Sequence, residues 1–508
     1  MTTGKVIMVQ GTSSSAGKSM LVAGLCRVFA RKGIKVAPFK AQNMSNNAGV
    51  CADGSEIGRA QITQAYASGI EPTAAMNPVL LKPESNMRSQ VVVMGKAMES
   101  LPAKSYYQRK QMLWGTVTSA LDSLRDEYEL IIVEGAGSPV EMNLKPNDIV
   151  NMAIARYADA PVILVGDIDR GGIFPQLLGT LWLFDEAEQE LLHGFVVNKF
   201  RGDITLFDDG ITILEEKSGK PVLGVLPWLK DLYLPEEDGV ALDQAIVQKE
   251  DNQKLDIVVI RIPRISNFDD FDPLEKEPNV SVRYVQNPAD LGHPDAVIIP
   301  GTKSTISDMA WLRDQGFVEP IQKLNEKGVA LVGICGGYQM FGGMIYDPDL
   351  VEADQMEIEG LGILPYDTTF VGEKATYQSE ALVTDGIGWM KSLIGQTLSG
   401  YEIHMGRTES TTSWLKFARR GGKTVNVPDG AMADGGRIWG CYMHGLFAND
   451  NLRHAWLNSL GLQQVSSNLP SLDESLDRLA DEIEAQLDLE WIDKLLNETN
   501  YVLKADSA

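Results

Sequence analysis

Short runs of β-branched and apolar residues return along this chain, each separated from the next by a longer amphipathic stretch. The first series comprises Lys5 to Gln10, Lys35 to Phe39, Leu130 to Val133, Pro161 to Val165, Gly194 to Val197 and Pro221 to Leu226. A strand buried on both faces reads as a continuous apolar run, and parallel strands need crossovers long enough to hold a helix. The alternation therefore predicts a largely parallel sheet with helices on both faces. A second series, Leu255 to Ile262, Val280 to Val285, Ala296 to Ile299 and Val329 to Ile334, follows an acidic, breaker-containing stretch, Leu234 to Gly239, and a polar segment, Gln248 to Lys254. Two doubly wound α/β domains are expected in tandem: residues 1–235, a linker over 236–254, residues 255–450, and a C-terminal helical segment over 451–508. In that last segment Leu472, Leu476, Leu479, Ile483 and Leu487 recur at helical spacing between acidic residues, which predicts an amphipathic helix packed on the second domain.

Charge narrows the range of partners. Lys plus Arg number 45 against 69 Asp plus Glu, a formal charge of −24, which disfavours nucleic-acid and anionic-membrane surfaces. No apolar stretch approaches the roughly 18 to 20 residues that a membrane helix requires. The four cysteines, Cys26, Cys51, Cys335 and Cys441, form no CxxC pair, so a reducing cytoplasm is expected.

The first strand runs into Gly11-Thr12-Ser13-Ser14-Ser15-Ala16-Gly17-Lys18-Ser19 and then an apolar helix start. Small residues there let backbone N–H groups approach phosphate oxygens, Lys18 neutralises charge, and the Ser19 hydroxyl can ligate magnesium, so ATP is the expected ligand. Five residues separate Gly11 from Gly17, one more than the common pattern, with Thr12 in the place of its first glycine. Further polar groups stand at strand ends, where open α/β sheets bind ligands. They are Lys40, Asn43 and Asn46 after Phe39, Glu134 after Val133, Asp167 and Arg170 after Val165, and Asn198-Lys199. A carboxylate at the end of a buried strand needs a cation or hydrogen-bond donors, and Mg2+ is the natural partner for Glu134.

A second chemistry lies at Val329 to Met340, which reads strand, sharp turn, helix around Cys335. Glycines flank a nucleophile in such an elbow because the turn is strained, and the helix start favours thiolate. Cys26, Cys51 and Cys441 lack that setting. Of the histidines His193, His293, His404, His444 and His454, the expected base is His444, at a strand end against Gly445, with His404 second. The Gly301 region of Pro300-Gly301-Thr302 and the Gly336 N–H are the expected oxyanion donors.

These motifs carry a resemblance. The second half is similar to class I, triad-type glutamine amidotransferase domains of flavodoxin-like fold, through its GICGGYQM elbow, PGTKST loop and later MHG histidine. The first half resembles the dethiobiotin-synthetase-like branch of P-loop NTPase-like folds, which shares the G-x5-GK[ST] spacing. Fused in this order, with QGTSSSAGKS, FKAQNMSNNA, EIGRAQ and GDIDRGG, the halves resemble the adenosylcobyric acid synthase family of the cobalamin pathway.

The resemblance implies a ligase that uses ATP, Mg2+ and L-glutamine to amidate the b, d, e and g carboxylates of a small-molecule corrinoid, adenosylcobyrinic acid a,c-diamide. Cys335 and His444 would release ammonia from glutamine. Gly17, Lys18 and Ser19 would hold MgATP, with Glu134 as the family's metal ligand and Glu56 of EIGR as a second candidate by position. Many triad enzymes carry a carboxylate two residues after the histidine, where this chain has Leu446; a dyad, or a carboxylate from elsewhere such as Glu402, stays open. Arg59, Arg88 and Arg170 are candidates to offset the acidic field at the corrinoid. Two other readings are a sister amidotransferase acting on the a and c carboxylates, and a P-loop ATPase with a non-catalytic amidotransferase-like module. Sequence gives no oligomeric state.

Overall fold

The apolar runs of the first half become buried parallel strands because each is flanked by a crossover that covers both of its faces. The computed structural model describes residues 3–85, 88–229, 232–235, 255–462 and 470–498. In chain order the elements that build the first site are β1 (Lys5–Gly11), α1 (Lys18–Arg31), β2 (Val36–Phe39), α2 (Arg59–Ala67), β3 (Leu130–Glu134), β4 (Val162–Asp167), β5 (Leu192–Phe200) and β6 (Val222–Pro227). The sheet order is β6-β5-β4-β1-β3-β2, parallel throughout. Since β1 lies between β3 and β4, the chain winds away from it in both directions, and the loops at its carboxyl end open a crevice.

The second half contributes β7 (Leu255–Ile260), β8 (Val280–Val285), β9 (Ala296–Ile299), β10 (Ala330–Ile334) and α3 (Gly336–Met340). They are followed by β11 (Thr368–Val383), β12 (Thr397–Thr408), β13 (Ala431–Ala433) and β14 (Ile438–Cys441). Its main sheet runs β8-β7-β9-β10-β14-β13, antiparallel only at the β13 edge. The long strands β11 and β12 pair antiparallel in a separate sheet that leans over the carboxyl end of β10. The expected doubly wound pair of α/β domains is what forms. The expected linker, 236–254, lies outside the described residues.

Three helices end the described residues, α4 (Asp450–Ser459), α5 (Leu472–Gln486) and α6 (Leu489–Glu498). The first buries Leu452, Trp456 and Leu457 in the core of the second domain. The second is a correction to the sequence reading: α5 packs on the first domain. Its Leu476, Leu479 and Ile483 share a core with Leu21, Leu25 and Val28 of α1. Ser471 and Glu474 form a reciprocal capping box that starts it. The acidic spacing explains the choice of partner, since Asp477 and Asp481 meet Arg27 and Arg31 of α1 at 2.7 Å.

Candidate active site

At the end of β10 the backbone turns so sharply that Cys335 adopts φ 51 and ψ −105, a region that L-residues avoid. The turn is tolerable because its neighbours are glycines. A Cβ on Gly337 would lie 1.9 Å from the carbonyl oxygen of Ile299, so the elbow packs against β9 only without a side chain there. Cys335 is thus raised on an elbow, buried, with its Sγ 3.6 Å from the Ile403 carbonyl of β12.

His444 follows β14, close enough to the Cys335 side chain for the thiol to act on its pKa. Its Nδ1 donates to Asp270 Oδ2 at 2.7 Å, and the other carboxylate oxygen accepts the Gly445 N–H at 2.7 Å. Burial opposes a charge on the imidazole, yet the adjacent Asp270 carboxylate and Cys335 push its pKa up to about 10. The Asp270 contact commits Nδ1 as a donor, which orients the ring and leaves Nε2 as the nitrogen that exchanges a proton with the thiol. Asn267 Nδ2 approaches Nε2 at 3.4 Å. Asp270 was not singled out from sequence, because it lies 174 residues before His444 in an acidic run that reads as solvated surface. Glu402, the carboxylate named in its place, is held by Arg420 at 2.9 and 2.5 Å and approaches His404 at 3.4 Å. Its geometry serves His404, whose ring stacks on Tyr442, and not His444. Gly301 lies against the imidazole: a Cβ there would come within 2.8 Å of its Cε1. Gly336 faces Thr302 on the same loop, 3.1 Å from the Thr302 nitrogen by the same measure. The two expected oxyanion segments are therefore neighbours around Cys335.

In front of the thiol lies a cavity of about 50 Å³ whose walls come from both domains: Cys335, Thr302 and Gln339 on one side, Lys82 and Gln90 on the other. Lys82 pairs with Glu56, whose second oxygen receives Lys374 of the second domain at 2.5 Å. Burial alone would raise the Glu56 carboxyl, but the two lysines hold it down at about 2. Both Glu56 oxygens thus face ammonium groups, which leaves the residue unsuited to metal and corrects its placement beside Ser19.

The phosphate loop lies in the crevice at β1. Gly17 has φ 97, and a Cβ there would strike Asn198 Nδ2 at 2.0 Å, so only glycine admits the asparagine that donates to the Ala16 carbonyl at 2.9 Å. Lys18 Nζ donates to the carbonyls of Ser13 and Gly137 at 2.8 and 3.2 Å, which keeps the loop wrapped about the ammonium. Thr12 joins its hydroxyl to Gln176 at 3.1 Å. Lys199 bridges the Ser15 carbonyl and Asp167 at 2.8 and 2.9 Å, and Arg170 lies 3.8 Å from the same carboxylate. Asp167 and Arg170 thus border the phosphate loop. Lys40 also joins this corner: its Nζ donates to Glu134 Oε1 at 2.8 Å. Asn43 instead donates to Gln61, and Asn46 to the Pro83 carbonyl at 3.4 Å, so the run chosen as one cluster is divided.

The Glu134 carboxylate accepts from Ser19, Lys40 and Gln64, at 2.8, 2.8 and 2.5 Å. Burial raises its pKa, and Lys40, Gln64 and Lys18 outweigh that to hold it below the ordinary value. Gln64 Oε1 is buried without a hydrogen-bond partner, so Glu134, the Ser19 hydroxyl and this amide oxygen gather hard donors at one point. Mg2+ is held by one or two carboxylates with water and substrate phosphates, and the donor set fits that habit. Arg59, considered for the corrinoid, is instead buried against Asp269, while Arg88 and Arg170 remain about half exposed.

Residues 7–241 match the CobQ/CobB/MinD/ParA nucleotide binding domain, and residues 256–452 the CobB/CobQ-like glutamine amidotransferase domain. Over 498 residues the chain is 53% identical to the cobyric acid synthase of Chloroflexus aggregans, covering 97% of this chain and 99% of that one. The protein of that name from Chloroflexus aurantiacus is 52% identical, again over 97% and 99%. That from Dehalococcoides mccartyi is 47% identical with the same coverage. The chain belongs to the cobyric acid synthase family.

Membership in the cobyric acid synthase family accounts for both halves at once. The expected fusion of a nucleotide-binding domain with a class I amidotransferase domain is borne out, and so is the ligase that draws on glutamine. Nucleotide and glutamine sites each have their domain. Among the described residues no helix is long and apolar enough to cross a membrane.

Proposed function

We propose that this member of the family amidates the b, d, e and g carboxylates of adenosylcobyrinic acid a,c-diamide, with glutamine supplying ammonia and MgATP activating each carboxylate. The observation that carries the reading is the buried Cys335–His444–Asp270 line, facing a cavity walled by the ATP-binding domain. A decayed amidotransferase module has no chemical need for a strained elbow or for a carboxylate holding the histidine tautomer.

With the proton shared by the pair resting on His444 Nε2, the Cys335 thiolate attacks the glutamine carboxamide carbon. Asp270 keeps Nδ1 protonated and stabilises the imidazolium. N–H groups of Gly336 and the 301–302 loop receive the developing oxyanion. Collapse of the tetrahedral adduct breaks the C–N bond, and His444 returns the proton to the leaving nitrogen. Ammonia departs into the cavity, and water then hydrolyses the thioester with His444 as base.

In the first domain Gly17, Lys18 and Ser19 hold the nucleotide phosphates, Asn198 braces the loop, and Lys199 adds charge beside it. Ser19 and Glu134 would hold Mg2+, which would supply neutralisation of phosphate charge. A corrinoid carboxylate oxygen attacks the γ-phosphorus, ADP leaves, and the resulting acyl phosphate is attacked by ammonia with loss of phosphate. Activation is required because hydroxide is a poor leaving group. Arg88 and Arg170, the latter with Asp167 beside it, are the remaining candidates for the corrinoid, and Lys40 acts through Glu134. The buried free cysteines suit a cytoplasmic enzyme. The test is the mass of the corrinoid after incubation with MgATP and glutamine: four carboxylate-to-amide replacements are expected, and an unchanged corrinoid overturns the substrate assignment.

A further inference from the structure

We propose that Arg59 is a positioning residue of the glutaminase centre and that helix α2 carries the state of the nucleotide site to it. The proposal rests on the reading above of one site as glutaminase and the other as ATP-dependent synthetase.

Arg59 belongs to the first domain, where its Nη2 donates to the Ala48 carbonyl at 3.3 Å, but its largely buried guanidinium also meets residues of the second. Its Nε pairs with Asp269 Oδ2 at 3.0 Å, and its Nη2 donates to the Tyr401 hydroxyl at 2.6 Å. The guanidinium carbon also lies 5.0 Å from the centroid of the Tyr401 ring. Both partners adjoin the catalytic line. Asp269 precedes Asp270 in the chain, and two buried adjacent carboxylates without a cation would compete for the one imidazolium. Tyr401 lies flat on the His444 ring, with centroids 5.2 Å apart and planes within 17°. The two residues also exchange backbone hydrogen bonds, at 3.2 and 2.9 Å. One guanidinium therefore holds the aromatic wall of His444 and the segment that supplies its carboxylate.

Five residues further along, α2 reaches the nucleotide site. Gln64 Nε2 donates to Glu134 Oε2 at 2.5 Å and to the Ser19 carbonyl at 3.3 Å. At a rise of about 1.5 Å per residue, Arg59 and Gln64 are separated by only about 7.5 Å along the axis. Residues Ala60 to Gln64 are buried, so the helix has little freedom to absorb a displacement at one end without passing it to the other. Engagement of the Glu134 carboxylate by a cation competes with the bond it accepts from Gln64. The helix then shifts, and Arg59 resets Tyr401 and the Asp269–Asp270 segment around His444. Glutamine is hydrolysed fastest when the synthetase site is filled.

The experiment measures glutamate release by the full-length enzyme with and without MgATP plus the corrinoid diamide. The proteins are wild type, Arg59→Gln and Arg59→Lys, and each is also assayed for amidation driven by ammonium. Wild type is expected to be stimulated within the roughly 5- to 150-fold range usual for coupled sites. In Arg59→Gln the ratio of stimulated to basal release falls to near one through kcat, with KM for glutamine and ammonium-driven amidation unchanged. Arg59→Lys restores the charge without the fork and recovers part of the ratio. Should Arg59→Gln not fold, Tyr401→Phe removes only the hydroxyl that Arg59 grips, and its ratio is expected to fall as well. An undiminished ratio in whichever variant folds overturns the proposal, as does parallel loss of glutaminase and ammonium-driven amidation. A wild type with no glutamine-dependent amidation instead overturns the functional reading beneath it.

Discussion

Asp270 is the residue on which the glutaminase chemistry turns. It holds His444 Nδ1 at 2.7 Å and fixes the tautomer that faces Cys335. Asp270→Asn keeps the shape but favours the wrong tautomer, so glutamate release should fall by about 10⁴-fold, the loss seen when a triad carboxylate becomes an amide. Ammonium-driven amidation should persist in the same preparation. A pH dependence follows from the same contact. Burial disfavours the imidazolium, but Asp270 and Cys335 move the His444 pKa from 6.5 to about 10, so the folded state binds the proton more tightly than the unfolded chain. That contribution is present in full below pH 6.5 and is lost as pH rises to about 10. The stability difference between wild type and Asp270→Asn, measured by denaturant unfolding, should therefore shrink across that window; a constant difference contradicts the pairing. The elbow and His444 were legible because glycines adjoin each in the chain. Asp270 was not, because nothing local marks a contact made across 174 residues. Glu56 misled for a related reason: its neighbours in sequence do not reveal Lys374, which reaches it from the other domain.

Among elements, the parallel strands of the two series were readable to within three residues, since burial on both faces forces uninterrupted apolar runs. The long antiparallel pair β11 and β12 was missed. Its strands intersperse buried positions with partly exposed ones, so no continuous apolar run announces them. Helix α5 was legible as a helix but not in its docking, because a helical period states which face is buried and not against what. The acids opposite Arg27 and Arg31 were the available signal. Leu479 is fully buried between α5 and α1. Leu479→Ala should cost about 2–5 kcal/mol, the range for deleting a buried leucine side chain, read as a lower denaturant midpoint. If the change is neutral, α5 does not belong to the core of the first domain.

For the whole molecule, a chain of charge −24 pairs the cations that lie between its domains with carboxylates. Lys82 and Lys374 enclose Glu56, and Lys303 reaches across to Glu84 at 2.9 Å, so the contact around the cavity is built from paired charges. Breaking such a buried pair on one side costs several kcal/mol, so the two sites are held in fixed relation. Division of labour between them is the central claim: one site frees ammonia and the other uses it. Its most direct test is the rate of corrinoid amidation by Cys335→Ala with MgATP and either glutamine or ammonium as nitrogen source. The account predicts no amidation from glutamine and wild-type amidation from ammonium. Amidation from glutamine by that variant, or none from ammonium, would contradict it.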